Sequence, residues 1–370
     1  MTSPSGVKTT VAVKVLREGL DANSQAMRRL RDEARMLGAM DHPSILKVYD
    51  LTQLGGRLAL VTEFVNGQDL EGTFEFGPGV PLKVLVEIIG RVAGALDAAW
   101  NSTSAITGRS LNLIHRDIKP TNIRIGRHGT VKVLDFGVAR AAGLEREAET
   151  HPDAVVGTYR YLAPEALDGQ VSKPEVDVYA LGCTFFKGVA GDSFYGRMSL
   201  TDQTVLSSKR ELHDAHLKGR LHELPGITDQ AIKTLLSDML DFDPIRRPDA
   251  AAISRRCDAI ADDMKGMDLR RWCEARTWPP EGVTKGHLVG KEWTETPLDD
   301  TLDEPIASER ETKQMDVDDP NFQPMPPETR ATDIAAQGAV AFAGMALAIG
   351  FALATMGLLA MMLAWFVLEG

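Results

Sequence analysis

The chain has 370 residues, 44% of them hydrophobic and 25% charged, with a formal net charge of -11. This is the composition of a folded globular chain with room for one large domain or two ordinary ones plus linkers, and it excludes wholesale disorder. Residues 299–333 hold 11 Asp or Glu against 3 Lys or Arg, a local charge of -8; the remainder is near balance and lacks the basic stripe of a nucleic-acid binder, so no nucleic-acid partner is expected.

In chain order, residues 1–10 carry no apolar core of signal-peptide length. Residues 10–16 read as a Val-rich strand that includes Lys14. Met27, Leu30, Ala34 and Leu37 then recur at helical spacing and define one apolar face. Residues 45–65 hold two strand-like runs on either side of Gly55-Gly56, a hairpin signal. Beyond Gly67 the pattern is mostly helical, with a β-like interval at 123–134. Cys183, Cys257 and Cys273 stand far apart, without the Cys-x-x-Cys spacing of a zinc site, and fit a reducing compartment. Residues 278–333 are rich in Pro, Asp, Glu and Thr without apolar periodicity, as in a solvated linker. Residues 339–368 carry no charge and exceed the about 20 helical residues that cross a bilayer. Trp365 suits an interfacial anchor. Ala346, Gly350 and Ala354, four residues apart, form a candidate helix-pairing face and make a homodimer an expectation.

The residues with chemistry come as four motifs in order: Val11-Ala12-Val13-Lys14, His115-Arg116-Asp117-Ile118-Lys119-Pro120-Thr121-Asn122, Asp135-Phe136-Gly137 and Ala163-Pro164-Glu165. The second matches H-R-D-x-x-x-x-N without a mismatch, and the set resembles the protein kinases, most closely the bacterial Hanks-type Ser/Thr kinases, over residues 10–265. The resemblance implies an α+β, two-lobed kinase fold occupying residues 1–265, with a small β-rich N-lobe (1–65) and a larger helical C-lobe (66–265). An acidic, Pro-rich juxtamembrane linker (266–335) and one transmembrane helix (336–368) complete the expected organisation.

The same resemblance assigns roles. Asp117 accepts the proton of the substrate hydroxyl, and Asn122 and Asp135 bind Mg2+. Lys14 meets the α- and β-phosphates of ATP, held by a carboxylate on the following helix, for which Glu33 is the candidate. Lys119, two residues after Asp117, contacts the transferred phosphate and marks the Ser/Thr class, while Thr158 completes the substrate pocket. Thr62 takes the gatekeeper position, the backbone of Glu63 and Val65 meets adenine, and Asp69 faces the ribose. Arg124 stands where many kinases put an apolar adenine floor, its aliphatic stem covering the base. Arg116 is placed to bind an activation-segment phosphate, with Thr150 as the acceptor. Glu165 and Arg247 form a buried ion pair, and Asp177 holds the catalytic-loop backbone.

One part of the pattern is missing. Only 13 residues precede Lys14, and none form the G-x-G-x-x-G phosphate lid. The N-lobe is therefore expected to lack its first two strands. Either a start upstream of Met1 supplies them, or the chain is a catalytically silent pseudokinase or scaffold. The intact catalytic residues favour the former. The partners expected are protein substrates and, through 336–368, a lipid bilayer, with the kinase domain on the cytoplasmic side where ATP is available.

Overall fold

In a computed structural model of the chain, the described residues are 9–15, 34–75, 79–136 and 159–279, with short gaps, together with 295–296. Strands β1 (Val11–Val15), β2 (Val48–Leu54) and β3 (Arg57–Glu63) belong to one antiparallel sheet. Beyond them come β4 (Gly67–Asp69), helix α1 (Leu70–Glu75) and the long α2 (Leu82–Asn101). A second small sheet pairs β4 with β5 (Ile123–Gly126) and β5 with β6 (Val131–Val133). The helical body continues with α3 (Pro164–Leu167), α4 (Glu175–Ala190), α5 (Leu200–Ser207), α6 (Arg210–His222), α7 (Gln230–Met239), α8 (Ala250–Asp263) and α9 (Leu269–Ala275). A short β7 (Glu295–Thr296) pairs with the end of β2, so the first sheet runs β1-β3-β2-β7.

Val and Leu alternation makes β1 and β3 pair in a register that sets Lys14 opposite Leu60. Helix α2 places Val84, Leu85, Ile88, Ile89, Val92 and Leu96 in the core, at the three- and four-residue spacing of a buried stripe. Helix α4 is buried over most of its length and brings Tyr179, Leu181, Phe185 and Phe186 into the same core. Gly67 is required where the chain passes from the first sheet to the second: a Cβ there would stand 1.9 Å from the Ile125 carbonyl oxygen.

The core extends beyond the expected boundary at 265. Asp268 caps α9 by accepting the Arg271 N–H, and Leu269, Trp272 and Cys273 are buried at i, i+3 and i+4. The Leu269 N–H donates to Glu87 on α2, and Trp278 Nε1 donates back to the Cys273 carbonyl. Residues 266–278 thus belong to the folded domain and not to a linker, because a short apolar stripe among charged neighbours still buries an indole. The apolar run 336–368 lies outside the described residues; among those described, no helix is long and apolar enough to cross a membrane.

Beneath the helical body lies a buried polar chain. The Tyr179 hydroxyl is 2.8 Å from that of Tyr195 and 2.9 Å from His213 Nε2. Burial pushes the His213 imidazole down to about 4, helped by Arg247, His216 and Arg210 and opposed by Asp241. Asp214 Oδ1 lies 3.8 Å from Nδ1. Folded His213 therefore stays neutral where an unfolded chain takes up a proton, so stability falls as pH drops from about 6.5 to about 4 and is unaffected by this group above that window. The expected loss by pH 5 is about 2 kcal/mol. Urea midpoints at pH 7.5 and pH 5 check it: the difference should shrink in His213→Gln, and an equal difference in both proteins contradicts the assignment.

Candidate active site

Residues 111–122 form an irregular loop that crosses the core between α2 and β5, and its shape is set by one buried carboxylate. Asp177, in the first turn of α4, accepts the His115 N–H at 2.6 Å and the Arg116 N–H at 2.7 Å. Burial pushes the Asp177 carboxyl up from the usual range, while the His115 side chain, the two N–H bonds and the Arg116 guanidinium pull it back. These bonds hold Arg116 at φ +66°, a left-handed conformation that a non-glycine residue adopts only when its surroundings impose it.

The His115 ring is the second organiser. The Asp117 N–H donates to Nδ1 at 3.2 Å, so Nδ1 is an acceptor and the ring proton sits on Nε2, which donates to the Leu134 carbonyl at 2.6 Å. Its ring centroid lies 4.7 Å from that of Phe136, the two rings tilted by 56°. One fully buried imidazole thus ties the loop that carries Asp117 to the strand end that carries Asp135.

Around this frame the polar groups converge. Asn122, in a 3-10 turn that begins at Pro120, donates from Nδ2 to the Asp117 carbonyl oxygen (2.8 Å) and to Asp117 Oδ2 (2.9 Å). Lys119 Nζ lies 2.9 Å from the same Oδ2. Because both Nδ2 bonds are spent on Asp117, Oδ1 of Asn122 remains the acceptor face of that amide. Across the cleft, Lys14 Nζ is 3.0 Å from Asp135 Oδ2, joining β1 to the loop after β6. Asp135 is at φ +56°. The pair is open to solvent, with side chains 51% and 36% exposed, so it orients Asp135 more than it stabilises the fold.

The end of β3 and the residues that follow it contain the expected base-binding residues. Thr62 is buried, and its hydroxyl donates to the Glu63 carbonyl at 3.3 Å. The Val65 carbonyl accepts from Arg124 Nε at 3.2 Å. Arg124 is opposite Asp69 in the β4–β5 register; burial lowers its pKa, opposed by that carboxylate. Asp69 itself spends one oxygen on the Gly72 N–H in the first turn of α1. Lower in the domain, Glu165 and Arg247 form a two-pronged pair at 2.5 and 2.9 Å, with the guanidinium 4.8 Å above the Tyr179 ring. Glu33, Thr150 and Thr158 lie outside the described residues.

The donor chemistry fits magnesium, since Asp135 and Asn122 offer the hard oxygen ligands that ion prefers. Sequence reasoning missed two participants. The ring role of His115 is invisible because Nε2 reaches the Leu134 carbonyl, 19 residues further on, while Nδ1 serves the neighbouring Asp117 N–H. Lys132 was missed because a lysine between two valines on a strand reads as a solvent-facing side chain, whereas it is 9% exposed and 2.6 Å from Glu63 Oε1.

The protein kinase domain model matches residues 5–256. The serine/threonine-protein kinase PknB of Mycolicibacterium smegmatis is 37% identical over 187 residues, 49% of this chain and 28% of that protein. The serine/threonine-protein kinase PrkC of Bacillus subtilis is 29% identical over 266 residues, 72% of this chain and 38% of its own length. The tyrosine-protein kinase MasK of Myxococcus xanthus is 28% identical over 294 residues, covering 78% and 43%. The matched segments span less than half the length of each of these relatives. By the extent of the domain match and the order of its motifs, the chain belongs to the protein kinase family.

Proposed function

We propose that this chain is an ATP- and magnesium-dependent protein Ser/Thr kinase, with its catalytic domain held at the cytoplasmic face of a membrane by the apolar run 336–368. The observation that carries the catalytic reading is the convergence of Lys119 and Asn122 on Asp117 Oδ2, within 3 Å, beside the Lys14–Asp135 pair. The relatives named as Ser/Thr kinases, and Lys119 itself, support the choice of hydroxyl.

In this reading the substrate hydroxyl oxygen attacks the γ-phosphorus, the bond to the β–γ bridging oxygen breaks, and ADP leaves. Asp117 takes the hydroxyl proton, and Asn122 fixes the orientation of its carboxylate through two hydrogen bonds. Lys119 sets a positive charge beside the transferred phosphoryl group, and Lys14 exchanges Asp135 for the α- and β-phosphates. Magnesium, when bound through Asp135 and Asn122, neutralises and orients phosphate oxygens. Arg124 offers its stem to the base from below while its Nε stays on the Val65 carbonyl.

The charge-free stretch 339–368 and the need for ATP support the membrane anchorage and its cytoplasmic side. The test is phosphoamino-acid analysis of protein labelled by the full chain recovered from the membrane fraction. Label on Ser and Thr is the expected result. Label on Tyr alone overturns the Ser/Thr assignment, as the name of the Myxococcus relative makes worth asking. No label together with no affinity for magnesium–ATP favours the scaffold reading.

A further inference from the structure

Lys132 lies in the short strand β6 between Val131 and Val133, and its side chain is largely buried. A charge in such a place is kept only when partners replace its lost water. Its Nζ lies 2.6 Å from Glu63 Oε1 and donates to the Ile45 carbonyl at 3.1 Å. The same carboxylate oxygen accepts the Lys47 N–H at 2.7 Å, and the Glu63 N–H donates to the Lys47 carbonyl at 3.0 Å. One ion pair therefore joins three separate stretches: the end of β3, the crossing segment 44–47, and β6.

The backbone reinforces the junction. The Val133 N–H donates to the Ser44 carbonyl at 2.8 Å, and the Leu46 N–H donates to the Val133 carbonyl at 3.1 Å. The crossing segment is itself stiffened at Pro43 and by the His42 ring, whose Nδ1 accepts the Ser44 N–H at 3.2 Å. On one side of the junction is Glu63, whose backbone the kinase reading assigns to the nucleobase. On the other, two residues past Val133, is Asp135.

We propose that the Lys132–Glu63 pair is a positioning device for the nucleotide, fixing the base-reading end of β3 relative to the strand that leads to Asp135. The alternative is a pair that serves stability alone. Buried ion pairs are poor at that, since apolar side chains of similar volume often stabilise as well or better. What an ion pair adds is direction: Glu63 Oε1 receives donors from two stretches at once, which sets an angle that greasy contacts leave free. The inference rests on the kinase reading for what is positioned, and on the described contacts for the junction itself.

The test uses the full chain as wild type, Lys132→Met and Lys132→Arg, read by amide hydrogen exchange without nucleotide and by calorimetric affinity for magnesium–ATP. Lys132→Met is expected to speed exchange at the Lys47 and Glu63 amides at least tenfold while α2 is unchanged, and to weaken ATP about tenfold. Lys132→Arg is expected to recover most of both. Unchanged exchange at those two amides overturns the junction, and faster local exchange with wild-type ATP affinity overturns its positioning role. Uniformly faster exchange along the chain means a stability element only and also overturns it. A wild-type chain that binds no ATP defeats the kinase reading, and the exchange arm still decides whether Lys132 governs the junction.

Discussion

Replacing Asp135 with Asn is expected to lower kcat for phosphotransfer by about a thousandfold, the rate equivalent of the several kcal/mol that a correctly held metal supplies to a phosphoryl transition state. The amide keeps the shape of the side chain and loses its charge, so the metal loses its one anionic protein ligand among Asp135 and Asn122. The fold has little at stake in that exchange. Among the described residues Asp135 pairs only with the half-exposed Lys14, and Asn tolerates the left-handed φ of +56° as Asp does. Thermal melting should therefore move by no more than about 2 °C, which separates a lost ligand from a lost fold. A D135N protein with wild-type kcat at saturating magnesium overturns the metal assignment.

Replacing Arg247 with Met is expected to have the opposite signature, a large loss of stability. The guanidinium has no exposed surface, and it serves the Glu165 carboxylate and the carbonyls of Asp241, Glu175 and Phe242. Removing it leaves a carboxylate only 14% exposed without its counter-charge and several carbonyls without a donor. Breaking a buried pair from one side costs about 3–5 kcal/mol. For a domain of this size that is a fall in Tm on the order of 10 °C. Adding Glu165→Leu to Arg247→Met should recover part of the loss, because the orphaned charge goes with it while the orphaned carbonyls stay. Differential scanning calorimetry of the two variants decides the matter, and a single variant as stable as wild type contradicts a buried pair.

How much of this was legible beforehand depends on the distance in sequence over which each task is done. The proposed phosphoryl transfer takes its base, its charge-bearing lysine and a metal ligand from Asp117, Lys119 and Asn122, so a contiguous motif suffices to find the candidates. The strands at 48–54 and 57–63 were legible from alternation and from Gly55-Gly56 between them. Asp177, Glu165 and Arg247 are ordinary charges to any periodicity argument and were reachable only through the family resemblance. Lys132 was reachable by neither, because its partner Glu63 is far away in sequence and its strand pattern points to solvent. Helix α9 was hidden by Asp, Arg and Pro around its three apolar residues, and β7 by its two-residue length in a polar stretch. The roles expected of Glu33, Thr150 and Thr158 lie outside the described residues and stand on the resemblance.

In the proposed reaction Asp117, Lys119, Asn122, Lys14 and Asp135 form a site that moves the γ-phosphoryl group of ATP to a protein hydroxyl. That reaction is tested most directly by following the transfer of label from γ-labelled ATP to protein by the full chain, with and without magnesium. Labelling that requires magnesium and falls with D135N is the expected result. Labelling that is absent from the wild-type chain, or present equally without magnesium, would contradict it.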